Sequence, residues 1–255
     1  MSGFFVVVPA RLASTRLPRK PLADVCGMPL VVRVAQRAAL SRAERVIVAT
    51  DSEEIAQACR SHHVEVVLTS PLHATGTDRL AEATQHLALA DEAIVVNVQG
   101  DEPLIPPAVV DRVAGLLRQR PDCAIATAAH PLTDAAEFFS PNVVKVVTDA
   151  AGRALLFSRA PIPWSRDAFA RSRDRMPAEF PALRHIGLYA YRAGFLRHYR
   201  ELGTAPIETH ENLEQLRALW HGHGIAVLVL EAPLPPGVDT AEDLEHVRAL
   251  IAAGA

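Results

Sequence analysis

Short apolar runs rich in β-branched residues alternate along this chain with stretches in which apolar residues recur at helical spacing. In the first half, such runs predict buried strands at residues 4–8, 45–49, 64–68, 93–98 and 124–128. Between them, helical periodicity predicts helices at about residues 29–41, 52–62, 77–90 and 106–119. This alternation is typical of βαβ units and predicts a mainly parallel sheet covered by helices on both faces.

Three predicted helices have start signals in the sequence. Asp51 followed by Glu54 has the spacing of a capping box, and Pro106–Pro107 suits a first helical turn. Thr240 and Asp243 open a last helix at residues 240–252. These signals support the helical assignments that the periodicity makes.

The second half of the chain has a less regular pattern. Residues 143–148, 154–158 and 185–191 are strand-like, but the Pro-, Arg- and Asp-rich segment 159–183 has no clear periodicity. A helix is predicted at residues 209–221 and a strand at 225–230. We predict one α/β domain over residues 1–255, with an inserted mixed α/β lobe at about residues 130–220 that forms a lid or a subunit contact.

Composition narrows the class of protein. The chain has 255 residues, 49% of them apolar, and a formal net charge of −3, so it can bury a sizeable core and has no overall basic character. This balance disfavours general nucleic-acid binding. No apolar run approaches the ~20 residues that span a bilayer, and the N-terminus lacks a signal-peptide pattern, so we expect a soluble cytoplasmic protein.

The cysteines do not predict a metal site. Cys26, Cys59 and Cys123 are odd in number, far apart and without a CxxC pair. We therefore expect reduced, buried thiols and neither a disulfide framework nor a zinc site.

A basic loop follows the first predicted strand. Arg11, Arg16, Arg19 and Lys20 lie within ten residues of one another, beside the hydroxyls of residues 14 and 15. Loops at the carboxyl end of a first strand are where open α/β sheets bind ligands. Cations and backbone N–H groups at that place favour a polyphosphate, and a solvated basic loop is the alternative.

A polar group follows the fourth predicted strand, in the segment VNVQGDEP. Gln99, Gly100, Asp101 and Glu102 would lie at the same edge of the sheet as the basic loop. A plain turn is the alternative, since Gly-Asp is common turn chemistry. A carboxylate beside phosphates requires a cation between them, and Mg²⁺ prefers one or two carboxylates with phosphate oxygens.

Asp239, late in the chain, is a second candidate carboxylate. Its position just before a helix makes an N-cap role the default. Thr240 can supply the cap instead, which frees Asp239 to join Asp101 on a metal.

Two further clusters carry candidate residues. Thr77 is predicted as an N-cap with Arg79 in the first turn, where a cation indicates an anionic partner, a contact to a base or a surface ion pair. The predicted lobe contributes polar side chains that together suggest a sugar or carboxylate site, although a solvated face is the default for each. These are Arg159, His185, Tyr189, Glu214 and Gln215.

Nine segments together resemble the 3-deoxy-D-manno-octulosonate (KDO) cytidylyltransferases, in family order across nearly the whole chain. They are PARLASTRLPRKPL, ATDSEEI, ATGTDRLAE, VNVQGDEP, NVVKVVTD, FSRAPIPW, RHIGLYAYR, ENLEQLRALW and GVDTAEDLE. The pattern R-x-x-S-x-R-L-P-x-K is shared with sialic acid cytidylyltransferases, whereas VQGDEP and RHIGLYAYR favour the KDO branch.

The resemblance implies a Rossmann-like, mainly parallel sheet of the nucleotide-diphospho-sugar transferase type, with a smaller lobe used in dimerisation. It implies the reaction of CTP with KDO to CMP-KDO and pyrophosphate, with Mg²⁺, for lipopolysaccharide biosynthesis. A cytoplasmic homodimer acting on these small molecules is the corresponding expectation.

The resemblance also assigns residues. By this transfer, CTP is bound by Ala10, Arg11, Ser14, Lys20, Arg79, Gln99 and Asp101. The metal is held by Asp101 and Asp239, and with Arg11 and Lys20 these two form the catalytic set. The sugar acid is contacted by Arg16, Gln99, Arg159, His185, Tyr189, Glu214 and Gln215. The chain departs from the family where Arg19 replaces the more usual glycine and Asp78 the more usual glutamate.

Other functions remain open from the sequence. The same basic loop would serve a cytidylyltransferase for sialic acid or for 8-amino-KDO. A GT-A-like glycosyltransferase would share the fold but use a preformed nucleotide sugar. A non-catalytic module would bind CTP without releasing pyrophosphate.

Overall fold

The computed structural model describes residues 3–13, 16–73 and 75–254, and a single sheet forms its centre. Its strands are β1 (Phe4–Ala10), β2 (Arg45–Thr50), β3 (Glu65–Leu68), β4 (Ile94–Asn97), β5 (Ile125–Pro131), β6 (Lys145–Thr148), β7 (Ala154–Ser158), β8 (Leu183–Arg192) and β9 (Ile225–Val229). Its α-helices are α1 (Leu30–Ala38), α2 (Glu53–Ser61), α3 (Gly76–His86), α4 (Pro107–Gln119), α5 (Ala135–Phe139), α6 (Arg166–Phe169), α7 (Ala193–Tyr199), α8 (Pro206–Glu211), α9 (Gln215–Trp220) and α10 (Ala241–Ala252). A short 3-10 turn at Lys20–Leu22 follows the basic loop.

The main path through the sheet has the strand order β3-β2-β1-β4-β8-β5-β9. Along it, β8 runs antiparallel to both of its neighbours, and the other strands all run in one direction. β6 extends the sheet by pairing with the start of β8, and β7 pairs with β6. The predicted mainly parallel α/β sheet is confirmed.

β1 is buried on both faces of the sheet, which explains its continuous apolar sequence. Val6 and Val8 pack into one core cluster with residues of α1 and α4. Val7 points to the opposite face and packs with residues of α3 and α7. The edge formed by the carboxyl ends of β1 and β4 is therefore supported from both sides.

A separate small core lies in the segment predicted as a lobe. Phe138 is fully buried there among the rings of Phe139, Phe169 and Phe180, with centroid distances of 5.2–5.7 Å. The segment from residue 130 to 220 also contains β8, which lies between β4 and β5 in the main sheet. Only part of that segment therefore lies outside the sheet.

The predicted helix at residues 209–221 is wrong in its continuity. The structure has two short helices there, α8 and α9, separated at Asn212, whose φ of 52° is left-handed. A left-handed residue ends a helix, and asparagine tolerates this conformation better than most residues. The break places the start of α9 at the carboxyl edge of the sheet.

Two predicted N-caps are also wrong. The cap of α2 is Ser52, whose hydroxyl accepts a hydrogen bond from the Ile55 amide over 3.3 Å, so Asp51 is free for another partner. The cap of α3 is Thr75, not Thr77, and it accepts from the Asp78 amide over 3.1 Å. In both cases a side chain near the helix start is left for a contact that the sequence alone does not show.

The cysteines partly follow the prediction. Cys59 and Cys123 are buried free thiols, whereas Cys26 is exposed, with a φ of 54° in the turn before α1. Burial raises the pKa of the Cys59 thiol to about 11, so this side chain stays protonated at neutral pH.

No helix in the described ranges combines the length and the apolar character needed to cross a membrane.

We predict that Phe138→Ala destabilises the protein by about 3–5 kcal/mol, because it leaves a cavity in the small aromatic core. Trp164→Ala is the matched control: Trp164 contacts Phe139 and Phe169 but is 47% exposed, so its loss should cost clearly less. Denaturant unfolding of the two variants measures the difference. Equal losses would show that the cluster around Phe138 is not a packed core.

Candidate active site

Three adjoining cavities lie at the carboxyl edge of β1 and β4. The first, of about 680 Å³, is the charged cavity, lined by Arg11, Arg16, Lys20, Asp101 and Asp239 among others. The second, of about 210 Å³, is the helix cavity, lined by His73, Thr75, Gly76 and Arg79 at the start of α3. The third, of about 290 Å³, is the amide cavity, lined by Asn97, Tyr189, Tyr191, Glu214 and Gln215. Gln99 lines all three cavities, so they meet at its side chain.

Gly100 allows the loops after β1 and β4 to approach closely. A Cβ at this position would lie 2.8 Å from the backbone oxygen of Pro9, which is closer than a carbon can approach. Glycine is therefore required here by space. The tight packing holds Gln99 and Asp101 beside the basic loop.

Lys20 connects the charged residues of the charged cavity. Its Nζ donates to Asp101 Oδ2 over 2.7 Å and to Asp239 Oδ1 over 3.1 Å. Burial alone would lower the pKa of Lys20, but the charges and hydrogen bonds of Asp101 and Asp239 outweigh it and raise this pKa. The prediction that Asp101 faces the basic loop is confirmed.

Asp239 faces the charged cavity because it does not cap α10. The cap is Thr240, which accepts from the Asp243 amide over 3.2 Å, as the sequence predicts. Asp243 Oδ2 in turn accepts from the Asp239 amide over 3.1 Å. With its backbone fixed in this way, the Asp239 carboxylate binds Lys20 and also Arg16, at 3.0 Å.

Arg19, by contrast, points away from the charged cavity. It pairs with Glu54 of α2 at a separate surface depression. Its φ is 56°, in the left-handed region where glycine is favoured, which accounts for the glycine more usual at this position. The loop thus directs three of its four cations, Arg11, Arg16 and Lys20, toward the cavity.

Glu102 adds a third carboxyl group next to Asp101. Burial, with smaller contributions from the charges of Asp101 and Asp239 and against the charge of Lys20, raises the pKa of Glu102 to about 7. The carboxylates at this edge therefore repel one another and depend on cations.

Arg79 is held rigidly in the helix cavity. Its guanidinium donates to Thr69 Oγ1 over 2.6 Å and to Asp51 Oδ2 over 2.8 Å, and the side chain is buried. The sequence left an anionic partner, a base contact or a surface ion pair open. The structure has a buried ion pair with Asp51 that also lines a cavity.

The amide cavity is built from three elements. Asn97 ends β4, Tyr189 lies opposite it in β8, and Glu214 and Gln215 begin α9. Thr77, which does not cap α3, donates instead to Glu214 Oε2 over 2.6 Å. The walls of the amide cavity thus consist mainly of amides, hydroxyls and aromatic rings.

Arg159 and His185 lie outside the lining of these three cavities. Arg159 donates from Nε to the backbone oxygen of Glu211 over 2.7 Å and from Nη1 to the backbone oxygen of Pro141 over 3.0 Å. His185 lies beside Tyr189, with ring centroids 5.3 Å apart, and its Nε2 is 3.0 Å from Thr127 Oγ1. Ser14 was also predicted as a site residue and lies outside the described residues.

The structure brings together most of the predicted site residues. Ala10, Arg11, Arg16, Lys20, Arg79, Gln99, Asp101, Tyr189, Glu214, Gln215 and Asp239 line the three cavities. Sequence analysis missed Asn97 and Thr77. A polar residue at the carboxyl end of the otherwise apolar strand β4 was the available signal for Asn97. No local signal distinguishes Thr77 from the cap Thr75, because its partner Glu214 is far away in the sequence.

Comparison with known proteins gives a consistent result. A family model described as "Cytidylyltransferase" matches residues 5–225. The 3-deoxy-manno-octulosonate cytidylyltransferase of Leptothrix cholodnii is 61% identical over 246 residues, which cover 96% of this chain and 90% of the relative. That of Methylibium petroleiphilum is 59% identical over 251 residues, which cover 98% of this chain and 95% of the relative.

Solved structures are similar as well. The structure of CMP:2-keto-3-deoxy-manno-octonic acid synthetase complexed with CTP is 40% identical in sequence, with a TM-score of 0.90 and complete coverage of both chains. A cytidylyltransferase from Leptospira borgpetersenii serovar Hardjo-bovis is 15% identical, with a TM-score of 0.62, and covers 100% of this chain and 89% of the other. The second likeness concerns the fold alone.

We predict that Gly100→Ala destabilises the protein by about 1–3 kcal/mol, because the added methyl group forces Pro9 and the loop apart. Gly115→Ala in α4 is the matched control, since a Cβ there meets nothing within 4 Å. In a helix interior this change should stabilise the protein by about 0.5–1 kcal/mol. Denaturant unfolding compares the two, and a neutral Gly100→Ala would contradict the close approach.

We also predict that His185 makes stability depend on pH. Burial lowers its pKa from 6.5 to about 3, so the folded state stays neutral at pH values where the unfolded chain takes up a proton. The contribution of neutral, buried His185 to the free energy of unfolding is complete above pH 6.5 and is lost as the pH falls toward 3. His185→Gln should therefore lose less unfolding free energy than the wild type between about pH 7 and pH 5.

The control for this measurement is His246→Gln, which removes an exposed imidazole. It should follow the pH dependence of the wild type in denaturant unfolding. If His185→Gln also followed the wild type, His185 would have to be solvated in the folded protein.

Proposed function

The chain belongs to the family of 3-deoxy-manno-octulosonate cytidylyltransferases, as its motifs predict, and we propose that it transfers the cytidylyl group of CTP to KDO. The products are CMP-KDO and pyrophosphate. The enzyme is thus a nucleotidyltransferase, and its activated sugar acid serves lipopolysaccharide synthesis as the family name implies.

The observation that carries the proposal is the meeting of three chemically different cavities at Gln99. The charged cavity suits a triphosphate, because Arg11, Arg16 and Lys20 converge there. The helix cavity, with the fixed guanidinium of Arg79, suits the nucleoside. The amide cavity suits a polyhydroxylated sugar acid, because its polar groups are amides, hydroxyls and one carboxylate.

In the proposed binding mode the α-phosphate of CTP lies near Gln99, where the three cavities meet. The anomeric hydroxyl of KDO attacks the α-phosphorus, and the bond from phosphorus to the bridging oxygen breaks. Pyrophosphate leaves in line, and the hydroxyl proton passes to solvent. Such a transfer requires positioning and neutralised charge more than a covalent nucleophile.

Arg11 and Lys20 stabilise the negative charge that moves onto the leaving pyrophosphate. Lys20 is suited to this task because Asp101 and Asp239 raise its pKa and keep it protonated. Its position between the two carboxylates also fixes the direction of its ammonium group. Arg16 lies at the mouth of the same cavity, paired with Asp239.

Asp101 and Asp239 are the residues that would hold Mg²⁺. The donor set fits, because both carboxylates already converge on one cation, the Lys20 ammonium. Among the described residues no cluster of three or more His, Cys, Asp and Glu side chains could hold a metal, so substrate phosphates and water would complete the shell. When bound, the ion polarises the α-phosphate and favours deprotonation of the attacking hydroxyl.

Other expectations stay predictions of the resemblance. These include the homodimer, the cytoplasmic location and the contacts of Arg159 and His185 with the sugar acid. His185 is suited to a supporting role, since its ring packs against Tyr189, which lines the amide cavity.

The test of the function is pyrophosphate release with CTP and a panel of sugar acids: KDO, 8-amino-KDO and sialic acid. We expect KDO to be the preferred substrate. Preference for either other acid would assign the same chemistry to a different sugar. Release of no pyrophosphate with any of the three would exclude a cytidylyltransferase and leave a glycosyltransferase or a binding module.

We predict that Lys20→Met lowers kcat/KM for CTP by about 10²-fold or more, the scale for one preorganised charged donor. Arg19→Met is the matched control: it removes a cation from the same loop, but one that pairs with Glu54 outside the charged cavity. Arg19→Met should therefore keep kcat/KM within about threefold of the wild type, because a surface ion pair contributes only about 0.2–1 kcal/mol and this one lies outside the charged cavity. Similar losses in both variants would indicate a general effect of loop charge.

A further inference from the structure

Two residues that line the amide cavity each carry a buried side-chain polar atom without a partner. Asn97 Oδ1 and Gln215 Nε2 have no hydrogen-bond partner, and they are the buried side-chain polar atoms without one among the described residues. Asn97 is 4% exposed and Gln215 7% exposed. A buried polar atom without a partner is unfavourable, and both such atoms belong to residues that line one cavity. A ligand that pairs with both atoms removes this penalty.

We propose that Asn97 is a specificity-determining residue of the transferase and accepts a hydrogen bond from a hydroxyl group of the sugar acid, an inference that rests on the proposed function. An amide oxygen only accepts, so its partner must carry a proton. The ionised carboxylate of the sugar acid has none. Asn97 therefore recognises a hydroxyl of the sugar and not its acid group.

The sugar, and not CTP, is the partner because of where Asn97 lies. It lines the amide cavity and neither the charged cavity nor the helix cavity. Gln99, two residues further on, lines all three, and its Nε2 already donates to the Gly187 oxygen over 3.3 Å. Asn97 is thus a residue of β4 that lines only the proposed sugar side.

The position of Asn97 is fixed before any ligand binds. It ends β4 in register with Val7 of β1 and with Tyr189 of β8, so strands hold its backbone on both sides. The strands hold the backbone of Asn97, and the residue is only 4% exposed, so the amide has little room to turn toward another partner. Recognition by such a rigid, unpaired acceptor rejects a sugar that lacks the matching hydroxyl, because the amide then stays buried and unpaired.

Stability separates this role from a structural one. If Asn97 had a structural role, its replacement should lower the stability of the protein. If Asn97 binds substrate, its replacement should not lower stability, because Asn97→Val removes an unpaired polar group and introduces a residue that strands prefer. We expect Asn97→Val without ligand to unfold at the same temperature as the wild type or higher.

The decisive experiment measures pyrophosphate release with CTP, KDO and KDO analogues that each lack one non-anomeric hydroxyl. In the wild type, one analogue should lose about 5–150-fold in kcat/KM against KDO through the unpaired Asn97. In Asn97→Val, KDO itself should fall by a similar factor, and that analogue should lose nothing further. The KM for CTP should stay within about twofold of the wild-type value, well below a tenfold change, which corresponds to about 1.4 kcal/mol.

Asn97→Ala is the second variant, in case valine fits the site poorly, and it should show the same selectivity. Asn142→Ala, which removes an exposed amide elsewhere, should show wild-type selectivity. If wild-type enzyme releases pyrophosphate with KDO but both Asn97 variants lose activity equally on every analogue, the role of Asn97 is refuted and the proposed function stands. If the wild type releases none with KDO, the proposed function and this inference fail together.

Discussion

The ammonium group of Lys20, held between Asp101 and Asp239, is the contact on which the rest of the site depends. It joins three segments that are far apart in the sequence: the loop after β1, the loop after β4 and the residue before α10. Each segment carries a charge that would be costly to leave unpaired in a half-buried place. The ion triad therefore holds the walls of the charged cavity together, and in the proposed function Lys20 and Arg11 bind the phosphates there.

A second constraint is the direction of the strands. Parallel β1 and β4 place their loops at one edge, which gives the charged cavity. Antiparallel β8 runs back beside β4 and brings Tyr189 next to Asn97, which gives the amide cavity. The border between the charged cavity and the amide cavity, the proposed phosphate and sugar sides, thus coincides with the change of strand direction. Gln99 lies at that border and lines the cavities on both sides.

The sequence predicts what depends on local pattern and strand order. The apolar runs predict the strands of the first half. Thr240 caps α10 as expected, so the Asp239 carboxylate is not used as the cap and can face the charged cavity. Two predictions fail for different reasons. Asp51 does not take part in a capping box but pairs with Arg79, a distant contact that has no signal in the local sequence. The helix predicted at 209–221 breaks because Asn212 is left-handed, a backbone conformation that the apolar periodicity does not reveal.

The first turn of α3 joins the two halves of the site. Thr75 caps it, Gly76 lines both the helix cavity and the amide cavity, and Thr77 binds Glu214. One turn later, Arg79 is fixed by Asp51. A displacement of this helix start would therefore change the helix cavity and the amide cavity, the proposed nucleoside and sugar sides, at the same time. Because an in-line transfer depends on the distance between the two substrates, a single rigid turn that lines both cavities suits the proposed reaction.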